Sequence, residues 1–300
     1  MRLATRLPAL LSLAISSGCA AEPTPPPPLP RQMAPPPATP QPPVPQSADF
    51  QLEGGAVQGG LLRGRAPSGT RELALDGLPV AVAPDGRFVI GFDRDHGASA
   101  LLSARTDDGR TVRQALQVAP RSWRVEHVDV AQRPPAVPDE EYRRRRESEL
   151  VRIRAAREQR SDVAGWQQRF AWPARGRISG VFGAQRIFRG VPAAYHSGVD
   201  VAGGAGAPVT APADGVVVLA GPPVFSLEGN LVIIDHGMGL NSAFLHLSST
   251  AVTLGQRVRQ GDRIGSIGAT GRATGPHLHW SMMWNGARID PQLVAGPMPN

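Results

Sequence analysis

The spacing of apolar positions changes character three times along the chain. Between residues 49 and 131 short alternating runs such as Phe88-Val89-Ile90, Ala100-Leu101-Leu102 and 125–130 are separated by Asp76-Gly77, Asp85-Gly86 and Asp108-Gly109. Those dipeptides supply the left-handed residues of tight hairpins. About seven short strands are predicted there, enough for a small β-sandwich. From 138 to 161 alternation gives way to charge. Asp139, Glu140 and Glu141 suit a helix N-terminus, the run 143–146 is all arginine, and Tyr142, Leu150, Val151 and Ile153 are the few apolar positions. This pattern predicts a solvated linker helix. Its place directly ahead of the last segment also makes it a candidate cover for any site that segment carries.

From Phe170 onward glycine and β-branched residues dominate. Strands are expected at 215–219, 231–235, 242–247, 257–258, 263–267 and 277–284. Turns at Glu228-Gly229-Asn230, His236-Gly237-Met238-Gly239 and Trp284-Asn285-Gly286 punctuate them. The expected fold is mainly β: a C-terminal antiparallel β-sheet domain at 163–300, preceded by a small β-sandwich at 49–131 and a charged helical linker at 132–162.

The N-terminus reads as an export signal. Arg2 and Arg6 precede an apolar run through Leu7, Leu10, Leu11, Leu13 and Ile15, too short to span a bilayer, so residues 1–21 are expected to be a signal peptide. Ser16-Ser17-Gly18-Cys19 resembles a lipoprotein cleavage box, departing from it at Ser16, and a lipid anchor at Cys19 is expected. Residues 22–48 follow as a linker. Proline dominates them up to 46, which favours an extended polyproline spacer over helix or sheet. The expected location is the periplasm, tethered to a membrane by lipid alone.

Composition narrows the partners. All 32 basic residues are arginine, the formal charge is +7, and Cys19 is the sole cysteine, which excludes an intramolecular disulfide. A basic surface favours anionic partners such as nucleic acid, anionic lipid or an acidic wall polymer, and charge alone does not choose among them. No nucleic-acid-binding signature is present, and none is expected as a partner.

Five of the seven histidines fall between residues 196 and 279, four of them in the clusters His196-Ser-Gly-Val-Asp200, Phe244-Leu-His246-Leu and Pro276-His277-Leu-His279-Trp280. In a strand, residues two apart share a face. His277 and His279 therefore lie with Ser281 and Met283, while Leu278, Trp280, Met282 and Trp284 point to the core. By the same rule His246 is expected to share a face with Phe244, opposite Leu245 and Leu247. Two histidines and an aspartate satisfy a catalytic zinc, and two further imidazoles are then available for proton transfer and oxyanion stabilisation. Residues 281–285 contain no acid, which argues against a cupin. His96, His127 and His236 read as ordinary polar or turn residues.

The stretch from about Trp172 to Leu293 resembles the lysostaphin/LytM-type zinc endopeptidases, which carry a duplicated-hybrid-motif-like β-domain. The resemblance rests on Trp172-Pro173, Val181-Phe182-Gly183, His196-Ser-Gly-Val-Asp200, Ala211-Pro-Ala-Asp214-Gly215, Asn230-Leu-Val-Ile-Ile-Asp-His-Gly237, Phe244-Leu-His246-Leu, Gly268-Ala-Thr-Gly271 and Gly275-Pro-His277-Leu-His279. It implies one Zn2+ held by His196, Asp200 and His279, with His246 and His277 as catalytic residues acting on the water and the scissile carbonyl. It further implies a zinc metalloendopeptidase that hydrolyses the peptide cross-links of bacterial peptidoglycan, with wall stem peptides as substrate. The alternative it leaves is a non-catalytic wall-binding regulator that activates another hydrolase.

Overall fold

In the computed structural model, which describes residues 47–129 and 139–299, the first segment forms eight strands. They are β1 (Gln51–Glu53), β2 (Leu61–Arg65), β3 (Thr70–Leu75), β4 (Leu78–Pro79), β5 (Arg87–Gly91), β6 (Ser99–Thr106), β7 (Thr111–Gln117) and β8 (Val125–Val128). The first seven pair as the sheets β1-β2-β5 and β4-β3-β6-β7. Asp76 and Gly77 both take positive φ, 49° and 80°, the twist required by the two-residue turn between β3 and β4. Strict alternation on β6 turns Ala100, Leu102 and Ala104 inward, where they meet Leu62, Phe88 and Ile90. The expected signal peptide, Cys19 and nearly all of the 22–48 linker lie outside the described residues, as do residues 130–138.

Helix α1 (Glu140–Glu158) starts where the acids predict, capped by Asp139, whose carboxylate accepts from the Tyr142 amide. It is docked rather than solvated. Glu149 and Ala156 are buried, Arg146 makes a two-pronged ion pair with Glu228 at 2.7 Å, and Glu149 accepts from the amide and hydroxyl of Ser226 at 2.8 and 2.7 Å. The apolar pattern missed this because the helix is fastened chiefly by polar contacts. No helix among the described residues is long and apolar enough to cross a membrane.

The C-terminal segment continues with β9 (Arg177–Gly180), β10 (Gln185–Phe188), β11 (Val191–Pro192), β12 (Val199–Ala202), β13 (Pro208–Thr210), β14 (Gly215–Leu219), β15 (Asn230–Asp235), β16 (Leu240–Leu247), β17 (Ser249–Thr250), β18 (Arg257–Val258), β19 (Arg263–Ser266), β20 (Leu278–Trp284) and β21 (Ala287–Ile289), then the short helix α2 (Pro291–Ala295). The predicted strands at 215–219 and 257–258 match β14 and β18 residue for residue, and the others agree to within two residues. An eight-stranded antiparallel sheet runs β18-β14-β15-β16-β20-β12-β9, with β21 paired to β20. One face of this sheet carries Val217, Val232, Ile234, Phe244, Leu278 and Trp280 into the main core. The other carries Val218, Leu231, Ile233 and Ala243 against Ala156 of α1, with Ile153 and Leu245 at the margin.

The first segment packs onto the second. Arg63 donates to the carbonyls of Trp166 and Gln168 at 3.0 and 3.1 Å, and Arg121 pairs with buried Asp290 at 2.8 Å. β8 joins neither of the first segment's sheets and runs parallel to β10, Val125 opposite Gln185.

Candidate functional site

Register assembles the site. β12 and β20 pair so that Asp200 faces His279, and β16 places Leu245 opposite the same histidine. Alternation on β20 sends Leu278, Trp280, Met282 and Trp284 into the main core, as expected. His279, Ser281 and Met283 are thereby left on the α1 face. His196 sits in the loop before β12, its ring edge-on to that of His279 with centroids 4.8 Å apart.

Three donor atoms converge. His196 Nε2 lies 3.1 Å from Asp200 Oδ1 and 3.1 Å from His279 Nδ1, and the last two are 2.9 Å apart. Tetrahedral zinc with bonds of about 2.0–2.1 Å separates its ligands by about 3.3 Å. The triangle therefore needs to open by only a few tenths of an ångström to accept such an ion. His196 Nδ1 lies 3.0 Å from the Val181 carbonyl, so in its neutral form the proton sits there and Nε2 presents a bare lone pair. Two imidazoles and a carboxylate, gathered this way, fit zinc. Burial raises Asp200, but the imidazoles of His196 and His279 outweigh it and hold the carboxyl well below the usual range. Burial lowers His279, while for His196 the effect of burial is exceeded by the Asp200 charge, which shifts it upward.

The other two predicted imidazoles border the same space. The His246 and His277 rings are 4.9 Å apart, and His246 is 6.3 Å from His279. His246 Nδ1 contacts the Thr270 carbonyl at 2.9 Å and His277 Nδ1 the Gly275 carbonyl at 2.8 Å. Each therefore offers Nε2 inward, and His277 Nε2 reaches to 3.8 Å from Asp200 Oδ1. Burial, with the neighbouring His277, lowers His246 and favours its neutral form. All five residues line one cavity of about 390 Å³, together with Ser197, Leu227, Glu228, Leu245 and residues 272–274. No residue of α1 lines it, so the helix borders this site rather than covering it.

One expectation fails in detail. His246 does not share a face with Phe244. It takes φ 63°, and the β15–β16 register shifts there. The bulge places Leu245 and His246 together on the cavity and returns Phe244 and Leu247 together to the core. Simple alternation cannot foresee a left-handed residue within a strand.

Sequence reasoning also passed over the parts that hold these side chains. A Cβ on Gly198 would overlap the Trp280 carbonyl and come within 2.7 Å of His279 Nε2, and one on Gly180 would overlap the Asp200 carboxylate. Gly198 stands inside the His196-to-Asp200 motif, which was its only signal. Behind His196 the 181–183 turn is braced from the first segment: Phe182 packs edge-on against Trp123 at 5.8 Å, and Arg94 Nε donates to the Gly183 carbonyl at 3.1 Å. A side chain at Gly183 would run into the Trp123 indole. His236 lies apart from the site, buried between the Asp214 carbonyl, the Ser242 hydroxyl and the Phe170 ring. His96 and His127 are also remote from it, His96 against Phe92 and His127 on β8.

Residues 194–291 match the model of Peptidase family M23. A solved peptidase M23 structure from Pseudomonas aeruginosa is 31% identical, covers 81% of this chain and 96% of its own, and superposes with a TM-score of 0.64. Peptidoglycan DD-endopeptidase ShyA of Vibrio cholerae is 39% identical over 132 residues, which are 44% of this chain and 30% of that protein. Cell division protein DipM of Caulobacter vibrioides is 34% identical over 151 residues, 48% of this chain and 24% of its own length. The match thus spans less than a third of either of these two curated relatives.

Proposed function

The chain belongs to peptidase family M23, and from that premise we propose that it is a zinc-dependent endopeptidase that hydrolyses peptide cross-links of bacterial peptidoglycan. The observation that carries the proposal is the triangle of His196 Nε2, Asp200 Oδ1 and His279 Nδ1 with edges of 2.9–3.1 Å. These three residues would hold the ion, which when bound supplies a Lewis acid that activates water and polarises a peptide carbonyl.

The remaining work falls to the protein. His246, neutral and with Nδ1 tied to Thr270, has its Nε2 lone pair free to take the proton from the attacking water. His277 gives its Nδ1 hydrogen to the Gly275 carbonyl, so it donates from Nε2 to the carbonyl oxygen as an imidazolium, with both ring nitrogens protonated, as negative charge develops there. The carbonyls of Thr270 and Gly275 fix both ring orientations in advance, so little reorganisation is needed during reaction. Presence of both helper imidazoles beside the ligand triad favours catalysis over a purely regulatory wall-binding role. Export to the periplasm and lipid attachment at Cys19 belong to the same proposal. The test is mass analysis of fragments released from purified sacculi by the zinc-loaded protein and by His279→Ala. Cross-linked peptides cut by the first and not by the second support the proposal; release of none by either overturns it.

A further inference from the structure

A second cavity, of about 720 Å³, opens between α1 and β20 and shares Ser197 and Glu228 with the histidine-lined one, so the two form a continuous groove. Met283 contributes to its floor, four residues along β20 from His279 and on the same face. At about 3.3 Å per residue that is a distance of about 13 Å, the reach of three to four residues of extended peptide. Arg146, Arg154 and Arg157 of α1, Arg160 just past its end and Arg288 of β21 line this cavity.

Against five guanidiniums the cavity sets two carboxylates, Glu158 and Glu228, so its charges are not balanced from within. Glu228 is fully engaged by the two prongs of Arg146. Among the described residues neither Arg154, Arg157 nor Arg288 has a carboxylate within ion-pair distance of its guanidinium, and the Nε of Arg157 is buried without any partner. Its Nη1 donates to the Met283 sulfur at 3.1 Å, a weak acceptor. Burial, reinforced by the neighbouring Arg288, pulls Arg157 down to about 10. Arg288 is held in place by stacking on the Tyr195 ring at 5.2 Å. A guanidinium kept dry, short of acceptors and beside a second guanidinium is stabilised by a planar anion that can accept from both.

We propose that this arginine-lined cavity is a subsite for a free carboxylate of the peptide substrate, three to four residues from the bond that is cut. The proposal rests on the peptidase reading for the identity of the ligand, and its test is chosen to separate the two. Two wall-type tetrapeptides are compared by calorimetry on the full chain, one with free carboxylates and one with carboxamides in their place. The free acid binds the wild type about 10-fold or more tightly than the amide. In Arg157→Gln, and in Arg288→Gln, where the exposed side chain can be removed without threatening the fold, the two peptides bind alike. Equal binding of both peptides to the wild type overturns the subsite, as does an undiminished preference in both variants. Inorganic phosphate competing as well as the free acid would also overturn it, since the cavity would then take any anion. Discrimination between the two peptides in binding, with no cross-linked peptide cut when the same zinc-loaded protein is given purified sacculi, would instead sink the peptidase reading and leave the subsite standing.

Discussion

Asp200 and His279 stand directly opposite one another on adjacent antiparallel strands, with Oδ1 of one 2.9 Å from Nδ1 of the other. Hydrogen bonding of the sheet thus does the work of bringing together residues 79 positions apart, and His196 completes the set from the loop before β12.

The first prediction concerns metal. Purified wild type should contain about one zinc per chain and melt higher as zinc is added, since an ion bound only by the folded state adds about 2.7 kcal/mol at a concentration 100-fold above its dissociation constant. His279→Ala should retain the fold by circular dichroism, lose the zinc and lose the thermal response. A variant that still responds would place the ion elsewhere.

Gly198 gives the second. Alanine at this position would press its methyl group on the His279 ring and the Trp280 carbonyl. Gly198→Ala should therefore weaken zinc binding by about 10- to 100-fold, the range seen when support of a ligand is disturbed. Competition with a chromogenic chelator measures it; unchanged affinity would show that the ring has room to move.

Acid stability supplies the third. Burial pulls His236 from 6.5 to about 4. Between those values the unfolded chain binds a proton that the folded chain refuses, so this residue's contribution is complete above pH 6.5 and declines as pH falls toward 4. The loss amounts to about 3 kcal/mol. Urea unfolding of wild type and His236→Gln at pH 7.5 and 4.5 should show a smaller drop in the variant. Parallel drops would assign the acid sensitivity to other groups.

The fourth tests the docking of α1. Glu149 is 4% exposed and accepts from Ser226 at both its amide and hydroxyl as well as from Arg146. Glu149→Ala strands those donors and should cost about 2–3 kcal/mol. Hydrogen exchange at the Ser226 amide should accelerate well beyond exchange in β15. Equal protection in both proteins would show that the helix is held by other contacts.

The parts of the molecule that follow local rules were legible in the sequence. Hairpin glycines marked the turns, alternation on β20 separated His279 from Trp280, and the clustered histidines marked the candidate site. Features decided by distant partners were not. The left-handed conformation of His246 accompanies contacts of its amide with the Glu228 carbonyl and of its ring with the Thr270 carbonyl, neither of them a neighbour in sequence. Docking of α1 depends on Glu149 and Arg146, charged residues that look like any solvated surface until Ser226 and Glu228 are seen beneath them. The parallel pairing of β8 with β10 joins segments about sixty residues apart and has no signature in either strand.

The wedge of Trp123 against Phe182 makes the upstream half a buttress for chemistry it never touches. Val181, whose carbonyl aims His196, belongs to the same short turn that this indole backs. A fragment trimmed to the C-terminal segment would keep every reactive group yet lose the backstop behind one of them, and its imidazole would wander. The position of a single ring thus depends on an aromatic residue more than seventy positions earlier.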